Sequence, residues 1–412
     1  MSFGEHGSYF ALDPVPRLIA AEEWERIERG LEQRARALDA FCGDAYGERR
    51  VFAEGRLPER LLGPGTLHEP LMDGLAGNPR RRWVDICGFD LARRDDGEMV
   101  VLEDNVRTPS GLAYSLAARE VVGGLLDVRG LEPRPVDPAA ELLAAALAAA
   151  APEGLEGPPR LAIVTDGSAG PAFYEHRRLA ETVGGRLVTV AELESARGRL
   201  WARVERQREP IDVLYRRTDD SALTDEAGAL TPLGELAFEP LRAQRLGIVN
   251  AFGAGVADDK LAYAYGEEMV RFYLGEEPAI RSIPTYDLAV SEQRTMALER
   301  LERLVVKPRF GLGGEDVLIV GDDGADASDA RERILEGGGE LIAQDRIPLS
   351  THPCLTDGRL QPRRVDLRAF AYATADGYRI ATGGLTRFAA DPGAMVVNSS
   401  QGGGGKDTWV VG

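Results

Sequence analysis

The residues best suited to phosphate chemistry in this chain are its lysines, because only three occur among 49 basic residues. They are Lys260, Lys307 and Lys406, and two of them stand beside glycine-rich segments. An ammonium group is a compact point charge, whereas guanidinium is a wide planar fork, so lysine persists in an arginine-rich chain mainly where arginine cannot replace it. The three positions are therefore candidates for anion binding.

The strongest local pattern is LVVKPRFGLGGEDV, which covers residues 304–317. A hydrophobic strand delivers Lys307, and a loop with Gly311, Gly313 and Gly314 follows it. Glycine lets backbone N–H groups approach phosphate oxygens without obstruction by a side chain. No Gly-Lys-Ser or Gly-Lys-Thr follows, so this is not a Walker loop. The pattern predicts a phosphate-binding loop; the alternative is a tight turn between two strands.

A second pattern has the oxygen ligands that a hard cation needs. In GFDLARRDDGEMVVLEDNVRTPSG, Glu103 and Asn105 are two residues apart, so a strand would place both on one face. The Asp-Asp-Gly turn at 95–97 predicts a hairpin that brings Asp90 beside them. Two carboxylates and an amide oxygen suit Mg²⁺, which takes its other ligands from water and phosphates. The alternative is a solvated strand edge that carries charges.

Near the end of the chain, VVNSSQGGGGKDTWVV offers Asn398 and Lys406 on either side of four consecutive glycines. These residues could line a nucleotide site or form a flexible tail. The β-prone TWVV favours an ordered loop between strands. Just upstream, Arg368 and Arg387 occur in strand-like runs that could aim both at one face, although surface exposure is the usual fate of arginine.

The positions of the secondary-structure elements follow from hydrophobic periodicity. The spacing predicts a helix over 16–43 and a hairpin of strands at 83–89 and 98–105. From residue 160 onward, apolar strands alternate with helical segments, which predicts a small parallel-sheet α/β domain. Those strands are predicted at 161–165, 186–190, 211–216 and 246–250.

Composition sets the broad class of the protein. Hydrophobic residues make up 44% of the 412 positions, charged residues 28%, and the formal charge is −18, which argues against nucleic acid as a partner. No apolar run reaches the roughly 18–20 residues that a membrane span needs, and the N-terminus lacks a basic-then-apolar pattern, so export is not expected. Three scattered cysteines suit a reducing compartment, so a cytoplasmic location is expected.

Together these motifs resemble the ATP-grasp superfamily, and most closely its circularly permuted type 2 branch. The joint occurrence of VLEDNVRTPSG, VADDKLAYAY, VVKPRFGLGG, VDLRAFAY and GGLTRF makes the resemblance specific. Their order is similar to that of a prokaryotic glutathione synthetase that has been cut and rejoined, with the metal-binding strands moved to the front. The resemblance implies an α/β and α+β fold: a circularly permuted ATP-grasp core with an inserted, small parallel-sheet pre-ATP-grasp domain. The predicted domains are 1–135, 136–250 and 251–412.

The resemblance also implies a role for each candidate residue. Lys260 and Lys307 would hold the α- and β-phosphates, the 311–314 loop would close over the nucleotide, and Gln344 would meet the adenine edge. The full predicted set comprises cofactor-binding Lys260, Lys307, Gly311, Gly313, Gly314, Gln344, Ile342, Ala343, Asn398 and Lys406, metal-binding Asp90, Glu103 and Asn105, and catalytic Arg368, Arg387 and Arg107. Residues 173–176 and 215–220 are expected to face the substrate.

The implied activity is that of an ADP-forming carboxylate–amine ligase that uses ATP and Mg²⁺ and works through an acyl phosphate. Its partners would be small-molecule or peptide carboxylates and amines, with no nucleic acid and no membrane; the oligomeric state stays open. Two alternatives belong to other classes. One is a non-catalytic nucleotide-binding partner protein, and the other is a carboxylate or small-molecule kinase.

Overall fold

The fold is that of a computed structural model, which describes the chain except for residues 1, 4–7, 76–81, 127–129, 137, 205–206, 219–221, 312–315, 322–325, 392–396 and 398–402. A nine-stranded, mainly antiparallel central sheet is the largest unit. Along the sheet its strands are Arg281–Ser282, Met99–Asn105, Ile86–Arg93, Arg359–Thr374, Leu385–Phe388, Gly404–Val411 and Ala11–Ala20, with Thr351–Thr356 and Gly377–Ile380 also paired to Arg359–Thr374.

The central sheet joins residues from opposite parts of the sequence. The predicted hairpin forms from Ile86–Arg93 and Met99–Asn105, and its first strand pairs with Arg359–Thr374. Gly404–Val411 pairs in parallel with Ala11–Ala20, so the TWVV segment is an integral strand, as predicted. This pairing of early and late segments is the arrangement that a circularly permuted core requires.

The first long helix begins later than predicted. Residues Ala11–Ala20 form a strand, and the helix runs over Ala21–Ala45. The predicted start at residue 16 is therefore wrong. Pro14 and Pro16 cannot donate to a strand ladder, but they are tolerated here because Ala11–Ala20 is the edge strand of this sheet and its ladder is irregular near them.

Helices cover both faces of the central sheet. On one face, Ala21–Ala45 buries Trp24, Leu31 and Leu38 at helical spacing in the largest core. On the other face lie the helices Leu112–Leu125 and Pro138–Ala149.

A second core joins the central sheet to a parallel sheet. It brings Leu143 of the Ala-rich helix together with Phe370 of the central sheet and Val213 of the parallel sheet. The two sheets are thus packed through a helical layer, as expected for helices between sheets.

The predicted parallel α/β unit is confirmed. Its four parallel strands are, in spatial order, Gly247–Val249, Val213–Arg217, Leu161–Thr165 and Arg186–Val188. The helices Phe173–Val183 and Pro232–Arg242 belong to it. An antiparallel meander, which the sequence analysis did not identify, is inserted as Leu193–Ala196, Arg199–Val204 and Gln207–Ile211.

A small antiparallel sheet faces the central sheet across a cleft and has its own core around Leu304, Val306 and Ile334. Its strands are, in spatial order, Thr285–Asp287, Leu341–Asp345, Leu304–Pro308 and Leu318–Ile319, with the helices Ser291–Glu299 and Ala327–Gly337. The remaining short elements are Ser2–Phe3, Ser8–Tyr9, Arg50–Ala53, Glu59–Leu62, Pro70–Met72, Val190–Glu192, Ala254–Ala257, Lys260–Ala264, Gly266–Met269, Val270–Leu274 and Leu301–Arg303.

No helix among the described residues combines the length and apolarity needed to cross a membrane. The division of the chain at residues 135 and 250 remains a prediction.

Candidate active site

A cleft of about 470 Å³ lies between the central sheet and the small antiparallel sheet. Its walls come from segments that are far apart in sequence: the hairpin and the loop after it, the start of the short helix at Lys260, the small sheet, and the strands that carry Arg368 and Arg387. The predicted residues that line it are Asp90, Glu103, Asn105, Arg107, Lys260, Lys307, Gly311, Gln344, Arg368 and Arg387. The structure therefore gathers most of the candidate side chains in one place.

Both candidate phosphate-binding lysines point into the cleft. The Lys307 ammonium donates to the Gln344 side-chain oxygen at 2.6 Å, and the Lys260 ammonium donates to the Gly311 carbonyl at 3.1 Å. Glu103 lies 3.6 Å from the Lys260 nitrogen. Burial lowers the pKa of Lys307, with Lys260 adding to the effect and Glu103 opposing it. Two ammonium groups beside one carboxylate leave a local excess of positive charge, which suits a polyanion.

A buried ion pair holds the two lysine-bearing segments together. Arg309 donates to Asp259 at 2.6 Å, and both side chains are almost fully buried. Asp259 also caps the short helix by accepting from the Leu261 N–H at 2.8 Å. Each partner is within two residues of a lysine, so the pair fixes the separation between Lys260 and Lys307. This pair was not predicted from the sequence, although its members stand inside the motifs VADDK and KPR.

The Gln344 side chain is hydrogen-bonded to Lys307. Its amide nitrogen donates to the Leu102 carbonyl at 3.3 Å and to the Thr285 hydroxyl at 3.2 Å, while its oxygen accepts from Lys307. Its polar atoms are thus bonded within the protein. The side chain supports Lys307.

The prediction that Ile342 and Ala343 contact the nucleotide is not supported. Both side chains are buried in cores and neither lines the cleft. Their strand, Leu341–Asp345, is hydrogen-bonded on both sides, to Thr285–Asp287 and to Leu304–Pro308, so its ladder uses these backbone groups. The cleft is lined instead by 344–347, where the chain leaves the sheet.

Four alternating charges line the central-sheet wall. Asp90 lies directly opposite Arg368, and Asp366 lies directly opposite Arg387 on neighbouring strands. Arg368 binds both oxygens of Asp90, at 2.7 and 2.8 Å, and Arg387 bridges Asp90 at 2.9 Å and Asp366. Burial alone would raise the pKa of Asp90, but the two arginines outweigh it and hold it at about 2. Burial raises the pKa of Asp366, opposed mainly by Arg387.

Asp366 is a cleft residue that the sequence analysis did not propose. The signal was its position two residues before Arg368 in VDLRAF, because strand alternation places both on one face. Asp90 and Asp366 carry two negative charges, which balance the two positive charges of the arginines that they bind.

The oxygen donors of Glu103 and Asn105 suit a Mg²⁺ ion that takes its remaining ligands from water and phosphates. No group of three His, Cys, Asp or Glu side chains in the described part of the chain could hold a metal ion. Glu103 and Asn105 nevertheless line the cleft together, and their carboxylate and amide oxygens are ligands of the kind that a hard cation takes. Mg²⁺ commonly takes one or two carboxylates and completes its shell with water and phosphates. A metal contact by Asp90 would require exchange of an arginine, so that role stays a prediction.

A loop at 108–111, next to Arg107, lines the cleft. Arg107 donates through Nε to Asp258 at 2.8 Å, and Asp258 also accepts from the Val106 and Arg107 backbone N–H groups. The guanidinium is about a quarter exposed and lines the cleft. Asp258 therefore holds the guanidinium in place, and the exposed part of the guanidinium can still contact a substrate.

Residues 173–176 do not line the cleft, which corrects the prediction, and Glu175 instead supports this loop. Glu175 is fully buried and accepts from the Ser110 hydroxyl at 2.6 Å and from the Gly111 N–H at 2.7 Å. His176 bonds Thr165 at 2.8 Å, and burial lowers its pKa to about 3.

None of the described residues of segment 215–220 lines the cleft, and within it Arg217 has the same supporting role. Arg217 pairs with Glu175 at 2.8 Å and donates to the Pro109 carbonyl at 2.6 Å. Arg216 donates to the Asn250 carbonyl and is fully buried within its sheet. Asp219 and Asp220 lie outside the described residues.

Lys406 does not reach the cleft, so its predicted nucleotide role is withdrawn. Its side chain is fully buried, pairs with Asp13 and donates to the Pro353 carbonyl at 3.0 Å. Gly404 and Gly405 before it serve packing: a Cβ on Gly404 would lie 2.4 Å from the Ala11 carbonyl oxygen. The lysine therefore ties the last strand to the first long strand.

Three predicted cofactor-binding residues, Gly313, Gly314 and Asn398, fall outside the described residues. Their predicted roles stay predictions.

Comparison with known proteins agrees with this geometry. Residues 16–389 match the family described as circularly permuted ATP-grasp type 2. The chain belongs to this family. Enzymes of the ATP-grasp ligase family generally use ATP and Mg²⁺.

Relatives of this permuted ATP-grasp protein occur in several bacteria. A Frankia casuarinae protein named "Putative glutamate--cysteine ligase 2-2" is 43% identical over 413 residues, which are 97% of this chain and 47% of that protein. A Synechocystis protein named only as uncharacterized is 37% identical, with 98% of this chain and 84% of that protein covered. The chain thus spans about half the length of the Frankia relatives and most of the Synechocystis one.

The permuted ATP-grasp fold is also supported by a solved structure. A glutathione synthetase-like effector from Globodera pallida, in its apo form, aligns with a TM-score of 0.61 over 98% of this chain and 91% of that one. The two sequences are only 12% identical, so the likeness concerns the fold alone.

Proposed function

We propose that the protein is an ATP- and Mg²⁺-dependent carboxylate–amine ligase that forms an acyl phosphate and releases ADP and phosphate. The observation that carries this proposal is the meeting, in one cleft, of two lysines, a pair of oxygen donors and two arginines from distant segments. Phosphoryl transfer depends mainly on positioning and charge neutralisation, and these groups supply both.

The lysines belong at the phosphate chain of ATP. Lys260 and Lys307 are held 3.1 and 2.6 Å from neutral oxygens of Gly311 and Gln344, which an incoming phosphate oxygen could replace as the partner. The base would lie towards 344–347, between the apolar side chains of Ile283 and Ile319. In this orientation the γ-phosphate would point towards Arg368 and Arg387.

The arginines belong at the reacting end. A substrate carboxylate oxygen attacks the γ-phosphorus, the bond to the bridging oxygen of ADP breaks, and an acyl phosphate results. The amine nitrogen then attacks the acyl carbon, phosphate leaves, and the nitrogen loses a proton to give the amide. Arg368 and Arg387 would stabilise the negative charge on the acyl phosphate and on the tetrahedral oxyanion.

Glu103 and Asn105 would hold Mg²⁺. Bound there, the ion would supply positive charge that offsets the charge of the phosphates. Arg107 would orient a substrate carboxylate with its remaining N–H groups, because a planar guanidinium suits bidentate pairing. Support for carboxylate and amine substrates also comes from the ligase name of the Frankia relatives, although each is about twice as long as this chain.

A substrate screen tests the proposal. Amino acids, polyamines and short peptides, singly and in pairs, are incubated with MgATP, and ADP, AMP, phosphate and amide product are measured by chromatography. The proposal expects ADP, phosphate and amide in equal amounts for an acid–amine pair. AMP and pyrophosphate would contradict the acyl phosphate route. ADP with a phosphorylated product and no amide would indicate a kinase, and nucleotide binding without ADP release would indicate a partner protein.

A further inference from the structure

The two arginines of the cleft are held differently. Arg368 has one carboxylate partner, Asp90, and its third nitrogen donates to the Ser110 carbonyl at 3.1 Å. Arg387 has two carboxylate partners, Asp90 through Nη2 at 2.9 Å and Asp366 through both Nε and Nη2. Their side chains are similarly exposed, at 14% and 12%, so the difference lies in the partners and not in solvent access.

Asp366 is placed to serve Arg387. The two residues face each other directly on adjacent antiparallel strands, Arg359–Thr374 and Leu385–Phe388, and the carboxylate receives both donors of the guanidinium fork. Such bidentate pairs fix the plane of the guanidinium as well as its position. Asp366 is 1% exposed although it borders the cleft, so its effect on a bound anion passes through Arg387.

We propose that Asp366 is a positioning residue that keeps Arg387 oriented independently of Asp90. The inference rests on the proposed function, which assigns Arg387 to the acyl phosphate. It divides the arginines into a fixed one and an exchangeable one. A group that draws the Asp90 carboxylate away releases Arg368 from its single carboxylate, while Arg387 keeps its orientation through Asp366.

The first test needs no substrate. Phenylglyoxal modification of each arginine is followed by peptide mass spectrometry in the wild type, Asp366→Asn and Asp90→Asn. We expect Asp366→Asn to raise the labelling rate of Arg387 about tenfold, because a charge-assisted partner is lost, while Arg368 changes less than about twofold. Asp90→Asn should raise the labelling rate of Arg368 about tenfold and change that of Arg387 by less than about twofold. Equal acceleration of both arginines in Asp366→Asn, or of neither, would overturn the proposal.

The chain offers a matched control for this test. Asp212 is also a buried carboxylate held by a bidentate arginine, Arg160, at 2.6 Å, but it lies in the parallel-sheet unit and does not line the cleft. Asp212→Asn should lower the melting temperature without changing the labelling of Arg368 or Arg387. Asp366→Glu keeps the charge and supplies a second variant if Asp366→Asn unfolds; its Arg387 labelling should stay closer to that of the wild type than the Asn variant's.

The second test uses turnover with an acid–amine pair found in the screen. Asp366→Asn should lower kcat about 10–100-fold with the KM for ATP within about twofold, because Arg387 acts at the reacting end. The double variant Asp366→Asn with Arg387→Ala should be no slower than Arg387→Ala alone. Independent, multiplying losses would overturn the proposal. If no pair supports ADP release, the proposed function fails while the labelling result still decides the role of Asp366.

Discussion

Replacing Lys307 by methionine should abolish most ATP affinity and turnover while leaving the fold stable. Methionine keeps much of the length and volume of the aliphatic stem but removes the ammonium that bonds Gln344 at 2.6 Å. Burial already lowers the pKa of this ammonium, so the native protein gains nothing from desolvating it in the absence of a ligand. We therefore expect loss of the charge to lower nucleotide affinity more than it lowers the stability of the free protein.

The size of the effect follows from the cleft. An ammonium and a phosphate oxygen about 4 Å apart interact by about 4 kcal/mol at an effective dielectric constant near 20. Losing one such donor from an active site typically costs about 10²–10³ in rate. Because Glu103 stays near Lys260 at 3.6 Å, the remaining lysine is partly neutralised and cannot fully compensate.

The assay compares Lys307→Met with Lys406→Met, which changes the third lysine of the chain. Nucleotide affinity is measured by titration calorimetry with MgADP, and stability by urea unfolding. Lys406 is buried against Asp13, so Lys406→Met should cost about 3–5 kcal/mol of stability while the folded fraction keeps its nucleotide affinity. Lys307→Met should show the opposite pattern. Wild-type affinity in Lys307→Met, or lost affinity in folded Lys406→Met, would refute the reasoning.

Three further outcomes are expected. Glu103→Gln should weaken Mg²⁺-supported turnover far more than metal-free nucleotide binding, and identical Mg²⁺ titrations for variant and parent would exclude Glu103 as a ligand. ATP affinity should fall as pH rises through the lowered pKa of Lys307, because the ammonium loses its charge there, and Lys307→Met should lack this dependence. The pKa of His176 is lowered to about 3, so unfolding takes up a proton below pH 6.5 and stability should fall by about 3 kcal/mol by about pH 4. His176→Asn should reduce the difference in unfolding free energy between about pH 6.5 and about pH 4, as measured by urea titration.

The parts of the fold predicted from sequence are those with a local signal. The four strands of the parallel sheet are short apolar runs separated by helical periodicity, and the hairpin carries an Asp-Asp-Gly turn, so both could be predicted from pattern alone. The strand Ala11–Ala20 could not, because its prolines argue against pairing, and only its place at the sheet edge makes them tolerable. Tertiary context overrode the local pattern there.

The candidate site divides in the same way. Lys307, Glu103 and Asn105 were predicted because glycine spacing and strand alternation act over a few residues. Strand alternation alone could place Asp366 on the same face as Arg368, but its pairing with Arg387 depends on a neighbouring strand and was not predicted. Lys406 was misplaced for the same reason: its glycine-rich surroundings resemble an anion site, but the strand pairing turns its side chain towards Asp13.

The central claim, acyl phosphate formation in this cleft, is tested most directly by following an oxygen atom. The substrate acid identified in the screen is prepared with ¹⁸O in its carboxylate, and the inorganic phosphate formed with MgATP and the amine is analysed by mass spectrometry. If the carboxylate attacks the γ-phosphorus and the amine then displaces phosphate, one labelled oxygen must pass into each phosphate released. We predict that transfer, with unlabelled ADP. Unlabelled phosphate, or label in AMP, would contradict the account.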